Sequence, residues 1–182
     1  MSGATALRTS AAELNATMRH LVTGVTVLTC GTAAEAEGVT VSALTTIPGD
    51  PPMACAVLRR GSRGLESLLG AGVFVANGLA ADHEWLARHF ARHRRPKGLA
   101  QLPAEAWAEP TGHGGPRLRG AVCWLECRLE RTVAAGDHEL VMARVLAGGH
   151  TARPPLVNFA GALHPGPGSP SPTVPTERKK QP

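Results

Sequence analysis

Tyrosine is absent from this 182-residue chain, and aromatic residues of every kind make up only 3% of it. So few flat rings argue against stacking on nucleic-acid bases, or on sugars, as the main business of the protein. No apolar run approaches the ~18 residues that would mark a membrane-spanning helix. The opening residues, MSGATALRTSAAEL, carry no basic stretch followed by an apolar one. No signal peptide is therefore expected, and the protein is expected in the cytoplasm. Cysteine is scarce too. Cys30, Cys55, Cys123 and Cys127 form no CxxC pair, and they read as buried thiols of a reducing compartment rather than zinc ligands. Acidic residues number 14 against 19 lysines and arginines, a net charge of +5. That modest excess favours anionic ligands such as phosphates.

What is present suits a globular body. With 43% hydrophobic and 18% charged residues, the chain is long enough for one domain with a sizeable core and a tail. Ser10 and Glu13 have the spacing of a capping box. Leu14, Met18, Leu21 and Val22 then form one apolar stripe, which predicts a helix over 10–22 closed by Gly24 in the left-handed conformation. Short runs rich in β-branched residues follow at 25–29, 39–46, 53–58, 73–77, 121–133 and 140–147. Two helical pieces interrupt them at 65–69 and 83–90, the second with Asp82 placed to cap it. Many strands with few intervening helices predict a mainly β protein, an antiparallel barrel with a few flanking helices. A Rossmann fold is disfavoured, since no G-x-G-x-x-G joins a strand to a helix. From residue 164 the chain turns Pro- and Ser-rich with almost no apolar anchor. A 1–163 domain followed by a disordered 164–182 tail is therefore expected.

Chemistry concentrates in two segments. Thr40, Ser42, Thr45 and Thr46 crowd hydroxyls onto one strand-like run, and Asp50-Pro51-Pro52 stiffens the turn after it. Neutral donors and backbone amides at a strand edge suit a phosphate and a polar ring edge, although threonine is also simply a good strand former. Some twenty residues on, Arg59-Arg60-Gly61-Ser62-Arg63-Gly64 stands before a short helix. A hydroxyl, mobile glycine backbone and arginines at a helix start make an anion site. Other clusters carry less. His83, His89 and His93 are spaced so that three rings do not share one helical face, and no metal site is expected. The basic run from Arg92 to Lys97 has no interleaved aromatics, which reads as a solvated turn or the edge of a nucleotide site, not a nucleic-acid surface. Trp85, Trp107 and Trp124 are read as packing residues.

These segments together resemble the flavin reductase-like family, the FMN-binding split-barrel proteins. The resemblance runs from TGVTVLT through GVTVSALTTIPGDPPMACAVLRRGSRGLESLLGAGVFVANGL and DHEWLARHF to AVCWLECRL and AGDHELVMARV, over about 14–163. It implies an antiparallel split β-barrel that takes a hydride from NADH or NADPH onto FMN, or FAD, and supplies reduced flavin to a partner monooxygenase. It also implies a homodimer with the flavin at or near the subunit interface. Carried over by position, Thr40, Val41, Ser42 and Ala43 match the strand along the flavin. Thr46 and Ile47 match a turn whose backbone faces the isoalloxazine, and Ser62 and Arg63 match the phosphate loop. His138, in Ala135-Gly136-Asp137-His138, matches a histidine near the nicotinamide side. Hydride transfer needs no acid–base dyad, in keeping with the lack of a catalytic triad or paired glutamates. Three departures from the family pattern stand out: Gly64 in place of a larger or hydroxyl residue, Pro48-Gly49 before D-P-P, and a 155–163 element poor in aromatic and basic residues. They leave two other readings open, a flavin-bound monooxygenase or oxidase with its own small substrate, and a non-catalytic FMN-binding module.

Overall fold

The computed structural model describes residues 9–110 and 115–168. Helix α1 (Ala11–Met18) opens the chain, followed by strands β1 (Thr23–Gly24), β2 (Thr26–Cys30), β3 (Glu37–Val41), β4 (Leu44–Ile47) and β5 (Met53–Arg59). Helix α2 (Arg63–Ala71), β6 (Val73–Gly78) and helix α3 (Glu84–Ala91) come next. The rest is β7 (Trp107–Ala108), β8 (Arg117–Leu118), the long strands β9 (Cys123–Ala135) and β10 (His138–His150), and a closing hairpin of β11 (Leu156–Phe159) and β12 (Ala162–Pro165). The fold is mainly β and antiparallel throughout, as the spacing of the β-branched runs predicts.

Seven strands form the main sheet, in the order β3-β2-β6-β9-β10-β5-β4. Its two edge strands, β3 and β4, are neighbours in the chain, joined only by Ser42 and Ala43. Two residues reach about 10 Å at most. The sheet must therefore curl until its edges nearly meet, which makes a barrel with a split at residues 42–43. The single run expected over 39–46 is two strands for this reason. Its first half pairs with β2 and its second with β5, on opposite sides of the split.

Strand β2 is buried along its whole length, because both of its faces meet apolar layers. Leu28 and Cys30 face one cluster with Val41, Leu58, Phe74, Cys127 and Val141, onto which α2 lays Leu65 and Leu68. Val27 faces a second cluster with Leu86 and Phe90 of α3, Trp107, Leu118 and Leu156. A buried polar knot ties the 115–118 segment to this layer. The Asn77 amide donates to the Val27 carbonyl and to the Thr29 hydroxyl, each at 3.0 Å, and its oxygen accepts the Leu118 N–H at 2.9 Å.

Local expectations fare unevenly. The capping box is present: the Glu13 N–H reaches the Ser10 hydroxyl at 3.2 Å, and the Ser10 N–H reaches the Glu13 carboxylate at 2.8 Å. The helix nevertheless stops at Met18, and Gly24 lies in β1, paired with Val157, instead of closing it. A short helix propagates only where packing supports it, and α1 buries none of its residues. Asp82 does not cap α3. A 3-10 turn over Ala81–His83 makes His83 the capping residue, and Asp82 pairs with Arg153. His164 and Pro165, assigned to the expected tail, pair with Val157 and Leu156 in β12. The part of that tail beyond residue 168 lies outside the described residues. Among the described residues, no helix is long and apolar enough to cross a membrane.

Candidate functional site

The split in the barrel opens into a cavity of about 400 Å³, a volume in the range of small-molecule and cofactor sites. Four elements wall it. The end of β3 and the Ser42–Ala43 break supply Val39, Thr40 and Val41 with those two residues. The end of β5 adds Val57, Leu58 and Arg59, and the start of α2 adds Ser62, Arg63 and Gly64. Phe90 and Ala91 at the end of α3, with Arg92, His93 and Arg95 beyond it, close the far side, and His138 stands at the rim.

The α2 end is built to receive an anion. Gly61 takes a φ of 69°, which turns the chain sharply after β5. Ser62 then caps the helix, its hydroxyl oxygen accepting the Leu65 N–H at 3.3 Å. The amides of Arg63 and Gly64, first and second in the helix, have no intrahelical acceptor and stay available. Gly64 has a steric reason. A Cβ there would lie 2.6 Å from Val39 Cβ, so only glycine lets the first turn of α2 ride directly on β3. The side chain missing relative to the family pattern is one the packing excludes.

The charges around the cavity are of one sign. Arg59, Arg63, Arg92 and Arg95 line it and, among the described residues, no carboxylate does. Directly beneath lies Glu37, 1% exposed. Its carboxylate meets Arg63 Nε at 2.8 Å and Arg63 Nη2 at 3.3 Å, and pairs with Arg95 as well. Arg95 also donates to the Gly38 and Arg92 carbonyls, and Arg63 Nη1 donates to the Arg95 carbonyl at 3.0 Å. The basic run is both of the things expected of it: Arg92, His93, Arg94 and Lys97 are exposed, while Arg95 folds inward over the Phe90 ring and the run edges the cavity.

The structure brings Thr40, Val41, Ser42, Ala43, Ser62, Arg63 and His138 to this one cavity. Thr46 and Ile47 lie apart, exposed on β4 and outside the lining. Thr40 has its hydroxyl engaged, donating to the Ala87 carbonyl of α3 at 2.8 Å. His138 sits beyond a Gly136 turn of φ 61°, with Nδ1 2.7 Å from Asp137 Oδ1. That hydrogen bond, with the charge of the ring, holds the Asp137 carboxyl below its ordinary value. Glu37 was not legible from the sequence as a site residue, and Arg95 only as part of a basic run at a possible site edge, for no local pattern links positions 37, 63 and 95.

The three spaced histidines part company. His93 lines the cavity, His89 Nε2 lies 3.2 Å from Gln101 Oε1, and His83 is buried beside Arg153. Burial, helped by the Arg153 charge and opposed by Asp82, holds the His83 ring below its ordinary value. Cys30 and Cys127 are buried, and that burial pushes their thiols up to about 11 and about 12. Trp107 is buried, but Trp85 is half-exposed and does not serve as core.

An antiparallel barrel split beside a basic cavity, with a strand edge on one wall and a capped helix start on another, defines a nucleotide-type cofactor binder. The profile of the family described as flavin reductase like domain matches residues 18–167. An NADPH-flavin oxidoreductase of Streptomyces viridifaciens is 35% identical over 84% of this chain and 79% of its own. Among solved structures, BorF, the flavin reductase component of a bacterial two-component tryptophan halogenase, superposes with a TM-score of 0.80. It is 31% identical, over 87% of this chain and 99% of BorF. The styrene monooxygenase flavin reductase of Pseudomonas putida S12 gives 0.74 at 32% identity, covering 85% and 97%. The chain belongs to the flavin reductase-like domain family.

Proposed function

We infer that this protein is an NAD(P)H-dependent flavin reductase that hands reduced flavin to a partner monooxygenase. The observation that carries this reading is the cavity at the barrel split, where the anion-receptive start of α2 and the strand 39–43 face the same space. We place the flavin there, FMN in the first instance, and its fit rests on three features. The amides of Arg63 and Gly64 and the Arg63 guanidinium offer donors to a phosphate. Val39, Val57, Leu58 and Phe90 offer apolar walls to a ring system. β3 is an edge strand and Ser42–Ala43 cross from one sheet edge to the other, so part of the polar backbone of 40–43 is left outside the ladders. Bound flavin supplies the redox chemistry, accepting a hydride from reduced nicotinamide.

The chain's own groups bind and orient. Ser62 fixes the helix start, and Gly64 brings its amides against β3. Asp137, paired with His138 Nδ1, holds the imidazole so that Nε2 points away from the pair, free to meet a nicotinamide carboxamide at the rim. Surplus positive charge draws anionic flavin and dinucleotide in. Thr46 and Ile47, outside this cavity, serve the proposal only through a second copy. An apolar patch supports such a homodimer: Leu14, Met18, Leu21 and Val22 are each more than half exposed, and Phe159 lies beside His20 at 5.7 Å.

Steady-state assays with NADH and NADPH against FMN and FAD test the activity. Nicotinamide oxidation that depends on both protein and flavin is expected. A rate no higher than that of free flavin overturns the reading.

A further inference from the structure

We propose that Glu37 is the positioning residue of the flavin cavity: its single buried carboxylate holds Arg63 of α2 and Arg95 of the following loop together, and so keeps residues 92–95 in place as a cavity wall. The proposal rests on the flavin reading above. The geometry is specific. Residues 92–95 leave α3 in an extended conformation at Arg92 and belong to no helix or strand. What holds them is two guanidiniums. Arg95 reaches back to the Arg92 carbonyl and down to Glu37 and Gly38, while Arg63 reaches across to the Arg95 carbonyl. Both converge on Glu37, whose Oε1 also accepts the Gly38 N–H at 2.9 Å. One residue of β3 thus joins the α2 wall to the α3 wall.

The charge balance points to the ligand. Two guanidiniums against one carboxylate leave one positive charge over at a place where the Glu37 and Arg95 side chains are 1% and 6% exposed. A wholly structural ion pair would be neutral, and apolar residues of similar volume would serve as well. Arg63, whose side chain is 34% exposed, turns the surplus toward the cavity. A flavin phosphate completes the set, so the Glu37 carboxylate acts on the ligand through both arginines without touching it.

The test compares wild type, Glu37→Gln and the double variant Glu37→Gln/Arg95→Met, by FMN fluorescence titration, steady-state kinetics, thermal unfolding and amide hydrogen exchange. Glu37→Gln is expected to weaken FMN binding about tenfold, the loss of roughly one charge-assisted contact, with the effect on KM for flavin rather than on kcat. Amides of 92–97 are expected to exchange faster. Glu37→Gln leaves Arg95 buried without its carboxylate, which costs stability and calls for a second variant. The double variant removes that charge, and is expected to melt close to wild type while binding FMN as weakly as the single variant. Wild-type affinity in the double variant, or unchanged affinity and exchange in a folded Glu37→Gln, overturns the assignment. A wild-type chain that binds no flavin overturns the reading of the cavity, and this proposal with it.

Discussion

At the scale of single residues, the cavity separates groups that hold a ligand from groups that hold those groups. On the proposed reading, Ser62 and Arg63 are of the first kind, through the helix start they form. Ser62→Ala with Arg63→Ala removes a cap worth about 1 kcal/mol and the proposed phosphate cation. We expect flavin affinity to fall by roughly a hundredfold, read by fluorescence titration, and unchanged affinity would show that the phosphate lies elsewhere. His83 belongs to the fold rather than to the cavity, and its lowered pKa has a definite sign. Below about pH 6.5 the unfolded chain takes up a proton there that the folded chain, with the ring buried beside Arg153, resists. The contribution of His83 is complete above that pH and is lost as pH falls through the depressed folded value. Urea midpoints at pH 7.5 and 5.5 should therefore differ less in His83→Gln than in wild type. An identical pH dependence in the two proteins would remove His83 from the account.

At the scale of elements, the contact that sets the site is α2 against β3. Gly64→Ala places a methyl 2.6 Å from Val39 Cβ, and either the helix or the strand must yield. Overpacking of this kind costs about 1–3 kcal/mol, and the displaced helix start carries its amides away from the cavity. We expect a lower unfolding midpoint together with weaker flavin binding. A variant that lost neither would show that α2 has slack. The elements also show what was legible in advance. The alternation in β5, and the β-branched runs of β2, β6, β9 and β10, announce strands without help. The break at residues 42–43 is not announced, because Thr-Val-Ser-Ala-Leu-Thr-Thr is good strand sequence throughout. The helix ended early at Met18 for the opposite reason: its stripe is periodic, but among the described residues nothing covers it. Asp82 has the chemistry of a cap, and Arg153, 71 residues away, claims it instead.

At the scale of the whole molecule, the most exposed large apolar side chains among the described residues fall together. The apolar residues of α1 and the residues just after it adjoin β11, where the Ala160 N–H donates to the Arg19 carbonyl at 2.8 Å. With Phe159 they make one patch, of the sort that marks an interface. We expect sedimentation equilibrium to give twice the chain mass, and Leu21→Asp with Val22→Asp to give a monomer with weaker flavin binding. A wild-type monomer, or a double variant that stays dimeric, would place the second copy elsewhere or remove it.

The sequence by itself determined the antiparallel class of the protein, most of its strands, the Ser10 cap, and the anion-suited segments around Thr40 and Ser62, while the flavin came from the family resemblance. These are local or pattern properties, dictated by side-chain period, capping chemistry and turn residues a few positions apart. Only the tertiary structure decided that those segments share one cavity, that Thr46 and Ile47 stand outside it, and that Gly64 is a packing necessity. It alone brought Glu37, Arg63 and Arg95 together, across separations of 26, 32 and 58 residues. The physical reason is the curl of the sheet. Pairing β3 and β4 to opposite edges with two residues between them forces the barrel shut, and that closure sets distant charges side by side.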